Sequence, residues 1–384
     1  MASKFGASKF AVLPLLLAMF AGGAHATTAV KSDFGTLKSG ETVTAVTLKN
    51  SHGVTARLIS YGAMLQSLKT PDRHGHIDDI VIGYDTLPEY EARAQYTGVT
   101  VGRYANRIAK GHFTLDGNDY QLAINNPPNS LHGGPAGFWS KNWTVDSVDA
   151  GGKGKTASVT FKYVSPDGEE NYPGTMTVYV TYSLNENSDL TITYKATTDK
   201  PTVVNLTNHS LFNLGGVLSG RSALEARAQV EADTFLATDE NAIPTKETPV
   251  KGTAFDFTKL TKIEPRALMT SDPQIVIGHG IDHNFNIRGG LTKAPKLAVT
   301  IIDDKSGRAM KILTTEPGVQ FYSGNFLDGK TPMKGGHMTN IHEAVAFESQ
   351  HYPDSPNRPD FPTTRLDPGQ TYSQVTVHHL YTIK

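Results

Sequence analysis

The sequence has no cysteine in its 384 residues, which excludes disulfides, thiolate metal centres and thiol nucleophiles together. Charge of one sign is also missing. With 36 lysines and arginines against 37 aspartates and glutamates, the formal charge is −1, so no basic field exists to hold a nucleic acid. Glycine (36) and proline (21) stay well short of collagen-like or low-complexity levels, while 38% hydrophobic residues can fill a large core. Long apolar runs are absent except for Phe10 to Phe20, about half of the roughly 20 residues needed to span a bilayer. Lys4 and Lys9 precede this run, and small residues ending Ala24-His25-Ala26 follow it. The pattern predicts an export leader, residues 1–26, cleaved after Ala26, and an exported periplasmic or secreted protein with no membrane contact after cleavage. Because the leader carries two lysines and no acid, its removal leaves the mature chain slightly more acidic.

Helical periodicity is scarce; 87–94 and 259–268 are the best short candidates. Alternation with period two dominates instead. Met176, Val178, Val180, Tyr182 and Leu184 alternate with polar residues, and after turn residues 185–189 the alternation resumes at Leu190, Ile192, Tyr194 and Ala196. A second hairpin is predicted from Phe113 and Leu115, the turn Asp116-Gly117-Asn118-Asp119, and Tyr120, Leu122 and Ile124. Further strands are expected at 54–60, 157–164, 296–302, 310–315, 343–348 and 372–383, with 151–154 a hairpin tip. No repeat and no long linker divides the chain. Many short strands need packed sheets to hide their apolar faces, so the expected fold is all-β, a large antiparallel β-sandwich forming one domain over 27–384.

Several short patterns approach known chemistry and miss it. Gly278-His279-Gly280 is followed by His283 where a dinucleotide loop needs glycine, and no βαβ unit surrounds it. Gly154-Lys155-Thr156 has Asp149 where a phosphate loop starts with glycine, and His342-Glu343 is followed by Ala346 rather than a second histidine. The histidine pairs His74/His76, His279/His283 and His378/His379 lack a third ligand at a matching spacing, so neither a metal nor another cofactor is expected.

Polar density at strand ends remains. It falls at 102–108, 125–134, 205–213, 282–285 and 347–354, where amides, a guanidinium, imidazoles and carboxylates would suit a small polyhydroxylated ligand if they converged. Histidine and a carboxylate can act as acid and base without a cofactor. The strings Gly102-Arg103-Tyr104-Ala105-Asn106-Arg107-Ile108, Asn129-Ser130-Leu131-His132-Gly133-Gly134, Asn205-Leu206-Thr207-Asn208-His209-Ser210, Asp282-His283-Asn284-Phe285, Pro317 to Asn325, and Glu348-Ser349-Gln350-His351-Tyr352-Pro353-Asp354 stand in one order along the chain. Together they resemble the aldose 1-epimerase, or galactose mutarotase, family from about Phe34 to the C-terminus. Leu211 stands where that family usually has an aromatic, and Pro127-Pro128 where glycine is common, which bears on pocket shape.

The resemblance implies an isomerase that interconverts the α and β anomers of free aldohexoses such as glucose and galactose, as a monomer or homodimer. It implies Glu348 as the base on the anomeric hydroxyl, His209 as the acid on the ring oxygen and His132 as an assisting histidine. By the same resemblance Asn106, Arg107, Asp282 and Gln320 hold the substrate. Rival readings of the same residues are a sugar-binding protein without catalysis, a glycosidase using Glu348 and Asp282, and a phospho-sugar epimerase, for which the clusters supply only Arg103 and Arg107.

Overall fold

The computed structural model describes residues 1–2, 26–93 and 96–384. Most of the expected leader, residues 3–25, lies outside the described residues, and so do the last residue of the first helix candidate and its neighbour.

Three large sheets dominate. Nine strands run in the order Thr144–Asp149, Ala157–Ser165, Met176–Leu184, Asp189–Thr198, Tyr372–Thr382, Arg308–Thr314, Lys296–Ile302, Arg227–Val230 and Thr261–Lys262. Six strands run in the order Leu211–Phe212, Val345–Gln350, Gly318–Tyr322, Asp282–Ile287, Ala232–Thr238 and Pro244–Pro249. A five-stranded meander over 28–79 forms the third sheet, and an isolated antiparallel bridge between Val81 and Phe212 joins it to the second. Every strand pairing within these sheets is antiparallel, as expected for short strands linked by tight turns.

The alternation maps directly onto burial. In the hairpin Met176–Leu184/Asp189–Thr198, the pairs Val178↔Ala196, Val180↔Tyr194 and Tyr182↔Ile192 point into the core, while Thr177, Thr181 and Thr193 face outward. Val46, Leu48 and Leu58 of the meander, Val159, Phe161 and Val180 of the nine-stranded sheet, and Phe235, Phe285, Phe321 and Phe347 of the six-stranded sheet belong to one hydrophobic cluster. The sheets therefore pack as a sandwich whose second layer is assembled from two sheets.

Local departures have physical causes. The hairpin His112–Leu115/Asn118–Gln121 turns on Asp116 and Gly117, both with positive φ, but its second strand stops before the expected Ile124, which is exposed. The first helix candidate forms over Leu87–Ala92, started by a capping box between Thr86 and Glu89. The second contracts to Glu264–Ala267. A third, Pro273–Gly278, was not expected; Asp272 caps it onto the Gln274 amide at 3.0 Å. The strand expected at 343–348 lies at Val345–Gln350, because Glu343 is held by His337 (2.6 Å) and Asn340 (2.7 Å) before the strand begins.

Candidate active site

The six-stranded sheet has one apolar face and one polar face, and its register assembles the site. Asn284, Gln320 and Glu348 lie directly opposite one another on three adjacent strands, and Asp282 is two residues from Asn284, so all four project to the same side. His283, Phe285, Phe321 and Phe347 alternate with them and project to the core side. A one-residue slip in any strand would exchange the two sets, so packing of the phenylalanines fixes the polar row.

His209 arrives from a connector between Thr207–Asn208 and Leu211–Phe212. Its backbone is clamped in both directions, His209 N to Val99 O at 2.9 Å and Gly98 N to His209 O at 2.8 Å. Its Nε2 stands 3.5 Å from Glu348 Oε1. His132 occupies a left-handed backbone position (φ 52°), and its Nδ1 accepts from the Asn106 amide at 3.2 Å. A neutral imidazole that accepts at Nδ1 carries its proton on Nε2, so that nitrogen is a donor. The following Gly133 is required sterically, since a Cβ there would lie 2.0 Å from the Gly102 carbonyl oxygen.

These groups border a cavity of about 390 Å³, lined by Asn106, Arg107, His132, His209, Asp282 and Glu348. That size suits a small ligand. Arg107 is the cation in the lining, and its Nε donates to Asn126 Oδ1 at 3.1 Å. Gln320 does not line the cavity; it lies beneath, and its Nε2 donates to Asp282 Oδ1 at 2.7 Å. Arg103 is elsewhere, buried and donating to the carbonyls of Pro173 (2.8 Å) and Gly174 (2.9 Å).

Burial sets the electrostatics. Glu348 is pushed well above the usual carboxylate range by burial and by the nearby Asp282 charge, with Arg107 opposing. Asp282 is also raised by burial, against the pull of Arg107 and Gln320. Burial lowers His209 to about 4. His132 is held well below the normal histidine range by burial, then by His209 and Arg107. Both shifts in the Glu348–His209 pair favour one proton, placed on the carboxyl group, facing a neutral imidazole.

Among the described residues, His132, His209 and Glu348 also form the one group of potential metal ligands whose atoms all lie within 4.8 Å of one another. The donor set fits a cation poorly, since the Asn106 amide occupies the His132 Nδ1 lone pair and Glu348 favours its protonated form. The histidine pairs set aside in the sequence sit elsewhere: His74 and His76 are exposed, His283 bonds Gln274 at 3.1 Å, and His378 packs on Phe212.

Several lining residues carried no sequence signal of their own. The Tyr96 ring lies 4.8 Å from that of His132 and 6.2 Å from that of His209, yet Tyr96 is isolated in the sequence. Phe326, Leu327, Asp328, Thr331 and Met333 come from a segment without regular periodicity. Tyr322 lies inside the 317–325 string, and Asn126 inside the polar run at 125–134.

Two imidazoles and two carboxyl groups within a ring of amides and one guanidinium form a polar cavity suited to a small polyhydroxylated ligand. An aldose 1-epimerase family model matches residues 44–379, so the chain belongs to that family. It is 42% identical over 347 residues to a galactose mutarotase of Sus scrofa, covering 90% of this chain and 96% of that protein. It is 36% identical over 341 residues to an aldose 1-epimerase of Escherichia coli K12, covering 88% and 95%. Among solved structures, an aldose epimerase homologue from C. elegans superposes with TM-score 0.78 at 32% identity, over 87% of this chain and 97% of that one. A galactose 1-epimerase from Lactobacillus acidophilus gives 0.80 at 25% identity, over 93% and 99%.

Proposed function

We propose that this isomerase interconverts the α and β anomers of free aldohexoses such as galactose and glucose, with Glu348 and His209 as the proton-transfer pair. Opening a hemiacetal requires removal of a proton from the anomeric hydroxyl and delivery of one to the ring oxygen. Glu348 acts as base on the hydroxyl, His209 as acid on the ring oxygen. The C1–O5 bond breaks, an aldehyde forms at C1, and rotation about C1–C2 presents its other face. Reclosure reverses both transfers.

The observation that carries this reading is the placement of His209 Nε2 3.5 Å from Glu348 Oε1 on the wall of one cavity, and the direction of their shifts agrees with it. Ring opening leaves the carboxyl protonated and the imidazole neutral, which is the state that burial favours at Glu348 and His209. The site thus lowers the cost of the open-chain intermediate. The cyclic substrate reacts through the less populated arrangement, in which a strong base faces a strong acid. Asn106, Arg107, His132 and Asp282 supply hydroxyl partners from the cavity wall, and Gln320 holds Asp282 in place. With Arg107 the cation in the lining and Arg103 committed to backbone carbonyls, the site suits a free sugar rather than a phosphorylated one.

Polarimetry on freshly dissolved α-galactose tests the reading against its rivals. Accelerated relaxation to the equilibrium rotation is expected. Hydrolysis of a chromogenic glycoside instead would point to a glycosidase, and hexose binding without acceleration to a passive binder. The proposal includes export, resting on the charged head, apolar run and Ala-His-Ala end of residues 1–26. Exported protein whose first residue is Met1 would refute it.

A further inference from the structure

Three of the chain segments that carry the site meet at one buried side chain, Asn205, which is fully inaccessible to solvent. Its Oδ1 accepts from the His351 amide at 3.0 Å, and its Nδ2 donates to the His351 carbonyl at 3.2 Å and to the Ala105 carbonyl at 3.3 Å. The carboxamide thereby behaves like a peptide unit of a missing strand. The register of Val345–Gln350 against Gly318–Tyr322 ends at Gln350, so the His351 backbone has no ladder partner there, and Asn205 provides one. Its own backbone is fixed in the same way, Asn205 N to Arg103 O at 3.1 Å and Ala105 N to Asn205 O at 2.7 Å.

Each contact lies a few residues from a proton-transfer or substrate-holding group. Ala105 precedes Asn106 and Arg107, His351 follows Glu348 by three residues, and His209 is four residues beyond Asn205. His132 is tied in through Asn106, whose carbonyl accepts from the His132 amide at 3.0 Å and whose amide donates to His132 Nδ1. We infer that Asn205 is a positioning residue for the epimerase reaction, a clasp that sets the spacing between Glu348 and His209 while itself touching neither. The inference rests on the mutarotase reading above. Without the carboxamide, two carbonyls and one amide would be left unpaired in a buried place, and the three segments would shift relative to one another. Proton transfer depends steeply on the distance between donor and acceptor. Misplacement by about an ångström can cost about 10²-fold in rate.

The test compares Asn205→Ala and Asn205→Asp with the parent and with Val203→Ala, a core substitution nearby that leaves the clasp intact. Asn205→Asp keeps the shape and the acceptor facing His351 N but sets a carboxylate against two carbonyls. Both Asn205 variants are expected to lose about 10- to 100-fold in kcat per folded molecule, with hexose KM changed less than about threefold. Val203→Ala is expected to lower the melting temperature and leave kcat unchanged. A folded Asn205→Ala or Asn205→Asp enzyme turning over at the parent rate would overturn the proposal, as would an equal kcat loss in Val203→Ala. Amide hydrogen exchange on the parent covers the case in which both Asn205 variants fail to fold: the His351 amide should exchange as slowly as the central strand amides, and fast exchange there overturns the clasp. A parent without activity on α-galactose would instead overturn the mutarotase reading, and the exchange result would still judge the clasp.

Discussion

Replacing Glu348 by glutamine separates activity from stability at a single atom. The residue is 2% exposed, and its Oε1 faces His209 Nε2 across 3.5 Å. Glutamine has the same shape, so no cavity forms, but it cannot take a proton from the anomeric hydroxyl. Loss of one positioned proton transfer is worth about 10²- to 10⁴-fold, roughly 3 to 5 kcal/mol of barrier, and should appear in kcat rather than KM. Stability should move the other way. Burial and Asp282 raise the folded-state pKa of Glu348 above its unfolded value, so its contribution is complete below about pH 4 and is lost as pH climbs through the raised folded value. Glutamine carries no such loss. The melting temperature of Glu348→Gln, relative to the parent, should therefore rise between pH 5 and pH 8. Polarimetry on α-galactose, corrected for spontaneous mutarotation, measures the first effect, and thermal melts at several pH values measure the second. A folded Glu348→Gln enzyme equilibrating anomers at near the parent rate would refute the assignment. A relative melting temperature that falls with rising pH would refute the electrostatic argument.

His209→Asn should lower kcat by a similar factor, and the double variant should fall well short of the summed losses because both groups serve one step; full additivity would argue for separate roles. Arg107→Ala removes the guanidinium proposed to hold the sugar and should raise KM by about 10- to 100-fold with a smaller effect on kcat. Exhaustive treatment with a chelator should leave activity unchanged; loss restored by a divalent ion would make the His132, His209 and Glu348 group a metal site after all. Acid should destabilise the fold through its buried histidines: burial lowers His209 and His378 to about 4 and His283 to about 3, so their contribution, complete above pH 6.5, falls as pH drops toward 4, by up to about 1.4 kcal/mol per histidine per pH unit. Urea titrations of Glu348→Gln at pH 7, 6 and 5, free of the opposing contribution of that carboxyl, read this directly, and a midpoint that does not move would contradict neutral burial.

The parts of the fold most legible in the sequence are those with one wet face. Met176–Leu184 and Asp189–Thr198 alternate residue by residue because threonines and serines face water while Val178, Val180 and Tyr182 face the core. Met64–Pro71 shows no such rhythm because both of its faces are mostly covered, and the meander it belongs to was largely invisible. The site was legible as chemistry but not as geometry. The strings around Asn106, His132, His209, Asp282 and Glu348 stood out locally, whereas the row Asn284, Gln320, Glu348 exists only through pairing of strands dozens of residues apart. Gln320 illustrates the limit. Its string marks it as part of the site, but only the sheet shows that it reaches the cavity through Asp282. Tyr96 was missed for the opposite reason, since a lone tyrosine carries no pattern until its ring is found against two histidines.

The polar row has an energetic cost that explains the face behind it. His209 Nδ1, Glu348 Oε2, Gln320 Oε1 and Asn284 Oδ1 are all buried and without a hydrogen-bond partner among the described residues. An unmet buried polar atom typically costs about 1 to 3 kcal/mol, and four of them are concentrated in and around one site. A sheet carrying that burden holds its register only if its other face is strongly bound. Phe321 packs on Phe347 with ring centroids 4.5 Å apart, on Phe257 at 5.5 Å and on Phe285 at 6.2 Å, and Phe255 stacks on Phe235 at 4.1 Å. Such contacts contribute about 0.5 to 1.5 kcal/mol per aromatic pair beyond the burial of their surface. The aromatic face thus offsets the polar one. Truncating Phe321 or Phe347 should therefore loosen the polar row even though neither ring projects to the cavity side of the sheet.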